Sequence, residues 1–193
     1  MKKQTGIAAF ALALTFASPA FAHTGHGEVA GLMSGLAHPV FGLDHLLAMV
    51  TVGLWAGLVG GRSLWAWPAS FVGSMLIGGA LAMGGVMLPG AEMVIAASVV
   101  ALGLAVALGL KPQIVLGAAL IALFGLAHGH AHGSEAPATG SDLAYATGFV
   151  LATAALHGVG LTAVLLNRVR LATTLTRVLG GAVMLAGLAL IAG

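Results

Sequence analysis

The chain has 193 residues, of which 60% are hydrophobic and only 6% charged, with a formal charge of +2. A soluble domain carries about 25% charged residues, so a water-facing surface is excluded for most of this chain, and the length suits one compact bundle. Cysteine is absent, which removes disulfides, thiolate metal sites and cysteine nucleophiles together.

Residues 1–22 read as a secretory signal peptide. Lys2-Lys3 form the charged start, Gly6 to Phe16 the apolar stretch, and Ala20-Phe21-Ala22 the small-x-small cleavage pattern. The apolar stretch is short for a bilayer span; an uncleaved anchor helix is the rival reading. Cleavage after Ala22 leaves His23 as the first mature residue, facing outward. Without Lys2 and Lys3 the charges balance, leaving no basic patch for nucleic acid.

Residues 23–193 form the second unit, predicted as an all-α, six-transmembrane-helix bundle. The apolar runs are Phe41–Gly60, Trp67–Leu88, Met93–Leu110, Gln113–Ala131, Leu143–Leu166 and Leu171–Ala192, each near the roughly 20 residues a span requires. Strands are not expected, because no run alternates apolar and polar residues. With an outward N-terminus, the inward loops carry Arg62, Lys111, Arg168 and Arg170. The outward segments carry Glu28, Glu92, Glu135 and Asp142. Basic residues concentrate on cytoplasmic loops, so the expected location is a bacterial-type inner (cytoplasmic) membrane with the mature N-terminus outside. Arg177, inside the last helix, is placed to snorkel towards the cytoplasmic surface. Gly53, Gly57 and Gly61 recur every four residues, and Gly78-Gly79 and Gly84-Gly85 crowd the second run, a pattern that suits close helix packing.

The chemistry rests on histidine. His38-Pro39-Val40-Phe41-Gly42-Leu43-Asp44-His45 opens the first run. Pro39 suits a helix start, and helical geometry extended backward puts His38 on the face of His45, two turns above. A carboxylate in a bilayer costs at least about 2.5 kcal/mol, so Asp44 needs a partner or a wet cavity. It either holds a passing cation or accepts a hydrogen bond from a histidine. The second cluster, His128-Gly129-His130-Ala131-His132-Gly133-Ser134-Glu135, closes the fourth run. His128 and His132 share a helix face at the spacing by which two imidazoles reach one metal. Gly129 and Gly133 are expected to loosen that last turn and expose carbonyls. Glu135 adds an oxygen donor, while His130 points to the other face. The alternative for this cluster is an outward loop that only scavenges metal.

The predicted topology brings both clusters to one outer mouth. His157 lies about 20 Å into the fifth run, as an inner station or a satisfied structural histidine. Glu92 starts the third run as a funnel charge, an added ligand or an ordinary interfacial acid. His23, with its freed α-amine, and His26 are candidates for collecting metal. Imidazole and carboxylate donors without thiolate suit Ni²⁺ or Co²⁺ and still admit Zn²⁺ and Fe²⁺. Met49 and the Met83/Met87 pair would suit Cu(I), but methionine is also a common apolar filler.

His38-Pro39-x-x-Gly42-x-Asp44-His45 resembles the first-span signature of the HupE/UreJ family of nickel and cobalt permeases. His128-Gly129-x-Ala131-His132-Gly133-x-Glu135 is similar to the family's second signature, with Ala127 standing where the family usually has Phe. The resemblance covers the whole chain. It implies secondary or facilitated uptake of Ni²⁺ or Co²⁺ as transported substrate, with His38, Asp44, His45, His128, His132 and Glu135 as the functional set. No prosthetic group is expected. No phosphate-binding loop of the GxxxxGK[ST] type occurs, so neither ATP hydrolysis nor an ATPase partner is implied. The competing readings are a membrane-embedded metal-dependent hydrolase and a metal sensor or store.

Overall fold

The computed structural model describes residues 27–134, 142–166 and 170–192. The signal segment, His23, His26 and Glu135 lie outside the described residues. All described elements are helices: α1 (Gly27–Phe41), α2 (Leu43–Val59), α3 (Ser63–Met83), α4 (Ala91–Leu108), α5 (Ile114–Ser134), α6 (Asp142–Leu165) and α7 (Arg170–Ala192). Five are long and apolar enough to cross a membrane, and six spans result if α1 and α2 count as one broken span.

The first predicted run, Phe41–Gly60, matches α2 within two residues, but its helical extension back to His38 is corrected. The chain bends by 82° between α1 and α2 at Gly42, whose backbone is extended (φ −84°, ψ 109°). Pro39 sits inside the end of α1 rather than at a helix start. Its missing N–H cannot bond the carbonyl one turn back. The next helix is started by Leu46 N–H donating to the Gly42 carbonyl at 2.9 Å. The Asp44 carboxylate then accepts the His45 backbone N–H at 2.8 Å, satisfying a donor that a helix start leaves open. The second span also shifts: α3 runs from Ser63 to Met83, and Gly84-Gly85 end it, with Gly85 at φ 77°.

Apolar residues cover these helices all round, so burial is decided by where small residues admit a neighbour. Four intimate pairings result. On α5, Gly125, Gly129 and Gly133 form a stripe against α3; a Cβ on Gly129 would run into the Met75 carbonyl oxygen. Gly103 and Gly180 join α4 to α7 in the same way. Along α6, Gly148 meets Leu32 of α1, while Gly160 meets Val50 of α2. The expected loosening at Gly129 and Gly133 does not occur. Helix α5 continues to Ser134, because those glycines are packing surfaces.

Trp55 and Trp67 lie 4.5 Å apart between ring centres. Their indole N–H groups donate to the carbonyls of Leu110 and Ile114, fastening the α4–α5 turn under the core. Arg177 donates to the carbonyls of Ala107 and Leu108 at 2.7 and 3.3 Å, a cation at the negative end of α4. The outward surface is apolar, with Phe41 86%, Leu143 82% and Val115 75% exposed.

Candidate functional site

Three helix ends converge at one end of this bundle. The start of α2 supplies Asp44 and His45, the end of α5 supplies His128 and His132, and the end of α1 supplies His38. Their rings form one cluster. His45 lies 4.8 Å from His128 and 4.2 Å from His132, and His38 lies 4.6 Å from His132, centre to centre. The bend at Gly42 achieves this. His38 reaches the cluster from a separate helix, not from two turns above His45 on a continuous one.

Hydrogen bonds fix how two rings present themselves. Asp44 Oδ1 lies 2.6 Å from His45 Nδ1, and a carboxylate is acceptor-only when ionised, so Nδ1 donates to it. His128 Nδ1 donates to the Phe124 carbonyl at 2.9 Å. In neutral rings both Nε2 atoms then carry lone pairs, and neither has a protein partner. Both nitrogens of His132 are likewise buried without a hydrogen bond. An unsatisfied buried polar group costs about 1–3 kcal/mol, so this arrangement opposes stability and suits an arriving cation. The carboxylate behind His45 is the arrangement that orients metal-binding imidazoles.

The rings meet edge to face. Among the described residues, no three His, Asp or Glu side chains converge on one point as a ready metal cage. The cluster is a set of adjacent donors, in contrast to a closed tetrahedral structural site.

His157 lies two turns beyond Phe149 on α6, about 12 Å further along the helix. It is 2% exposed, and both its nitrogens lack partners. The Phe71 ring bridges the two levels, 5.2 Å from His128 on one side and 5.2 Å from His157 on the other. His130 stands apart: its Nε2 donates to the Val86 carbonyl at 2.7 Å, holding the α3–α4 connection. Glu92 is exposed in the first turn of α4, whose Ile95 packs with Ala127 and Ala131 of α5. It therefore shares the end of the bundle occupied by the histidines without joining their rings. Phe71 and Phe149, whose ring is 4.1 Å from His132, carry no sequence signal apart from apolar spacing on their helices.

Comparison with known proteins places the chain as a whole. The family model described as HupE / UreJ protein matches residues 11–190. The chain belongs to the HupE/UreJ family. "Protein HupE" of Rhizobium leguminosarum bv. viciae is 42% identical over 182 residues, covering 94% of each chain. No solved structure matches. The apolar helices and the HupE/UreJ membership together indicate a multi-pass membrane protein.

Proposed function

We propose that the protein is a permease that takes up a divalent transition-metal ion, Ni²⁺ first and Co²⁺ second, by secondary or facilitated transport. The observation that carries this reading is the buried ring cluster of His45, His128 and His132, with unpartnered nitrogens and Asp44 behind His45. Imidazole with carboxylate support suits borderline ions of this kind. Conduction needs sites that capture and release, and adjacent donors meet that need better than a closed cage.

The route enters where Asp44, Glu92 and the histidines gather, with His38 at the mouth and Glu135 and His23 as outer collecting groups. It then passes Phe71 to His157. Two turns past His157, Val164 lines a cavity of about 610 Å³ together with Gly57, Lys111 and Arg177. In this reading that cavity is the inner vestibule. The basic residues Arg62, Lys111 and Arg177 share its end of the bundle, supporting an inward orientation for that end and placement in the cytoplasmic membrane.

The full chain reconstituted in proteoliposomes tests the proposal. Ni²⁺ and Co²⁺ supplied outside should accumulate in the lumen. Asp44→Asn should lower metal affinity about 10- to 100-fold, the usual effect of losing a carboxylate behind a metal-bound histidine. Lipid or peptide turnover without metal flux would replace the permease reading with an embedded hydrolase. A wild-type uptake rate in Asp44→Asn would remove this cluster from the route.

A further inference from the structure

Buried hydroxyls in apolar helices ordinarily return their hydrogen to a carbonyl of their own helix, one turn back. The buried Thr51 does so with Leu47 and the buried Ser98 with Ile95. Thr153 does not. Its hydroxyl crosses from α6 to α3 and donates to the thioether of Met75, Oγ1 to Sδ 3.7 Å, with both residues buried. A thioether is a weak acceptor, so this contact leaves a hydroxyl oxygen and a sulfur poorly committed inside the bundle.

Their position on the helices matters as much. On α6, Thr153 follows Phe149, which touches His132, by one turn and precedes His157 by one turn. On α3, Met75 is one turn from Phe71, which touches both His128 and His157. The pair therefore lies between His132 and His157, with the Met75 backbone at the level of Gly129. A cavity of about 60 Å³ on the outer side of the pair reaches Met75 but not Thr153, and is lined also by His132, Tyr145 and Phe149.

We propose that Met75 Sδ and Thr153 Oγ1 form a further metal-coordinating station between His132 and His157, one that sets ion preference. This rests on the transport reading above and deepens it. Thioether sulfur favours soft and borderline ions, whereas Mn²⁺ and Mg²⁺ prefer all-oxygen surroundings. A sulfur in the middle of the route disfavours hard ions there.

The test uses the full chain in proteoliposomes with Ni²⁺ and Mn²⁺ supplied together. Met75→Leu is nearly volume-conserving, and Thr153→Val replaces the hydroxyl by a methyl group of similar size. Each should reduce the Ni²⁺/Mn²⁺ uptake ratio about tenfold, equivalent to about 1.4 kcal/mol. A ratio within about twofold of wild type in both variants would overturn the assignment. A second arm needs binding only. The chain contains no cysteine, so any sulfur scatterer in X-ray absorption of the Ni²⁺-loaded protein comes from methionine. Sulfur seen in wild type and lost in Met75→Leu supports the station; no sulfur in wild type, or sulfur retained in the variant, overturns it. Absence of flux in wild type would instead remove the permease reading, and the absorption arm would still decide on Met75.

Discussion

At the residue scale, the site depends on which imidazole nitrogen is left with a lone pair. Asp44 and the Phe124 carbonyl each take one ring hydrogen, from His45 and His128, and this turns two Nε2 lone pairs inward. Gly42 is part of the same device. A Cβ there would meet His45 Nδ1 at 3.0 Å and Asp44 Oδ1 at 3.2 Å, so the pair would have to shift by a few tenths of an ångström. Gly42→Ala is therefore expected to cut Ni²⁺ uptake about tenfold or more, within the range for lost metal-supporting partners, with the fold retained. Uptake and circular dichroism on the same preparation check both halves. His130→Ala, by contrast, should leave metal binding by the cluster near wild type. It removes an anchor to Val86, so its effect should appear as a lower unfolding midpoint.

At the element scale, glycine decides which helices touch. Gly129 and Gly158 both lie within helices, yet a Cβ at Gly129 would strike the Met75 backbone, while one at Gly158 meets nothing within 4 Å. Gly129→Ala should cost about 1–3 kcal/mol through overpacking and separate α3 from α5. Gly158→Ala should be neutral or stabilise by up to about 1 kcal/mol through helix propensity. Unfolding in detergent with increasing denaturant compares the two; equal stabilities would show that the α3–α5 contact is looser than described. The histidine spacing on α5 was legible in sequence because four residues return to one face. The role of the glycines between them was not. Helix-loosening and close packing use the same residue, and only a neighbouring helix distinguishes them.

At the scale of the whole molecule, the two ends carry opposite chemistry. Arg62, Lys111 and Arg177 gather at one end, and Asp44, Glu92 and the clustered histidines at the other. Single cysteines report orientation without background, because the native chain has none. Met87→Cys, at a position 84% exposed in the α3–α4 connection, should react with a membrane-impermeant thiol reagent on intact cells. Arg62→Cys should react only after permeabilisation. The reverse pattern would invert the topology and the proposed direction of the route.

Composition, run length and loop charge by themselves determined an apolar helical bundle, and the two histidine motifs named the family. These are local properties: hydropathy and i, i+4 spacing are set by covalent order and helical pitch. Tertiary structure decided the bend at Gly42, which brings His38 to the cluster from its own helix. It also decided the tautomers of His45 and His128, and the meeting of Phe71, Met75 and Thr153 between the two histidine levels. Those features depend on contacts between helices far apart in the chain, where a close glycine approach on one helix fixes what the next can present to the interior.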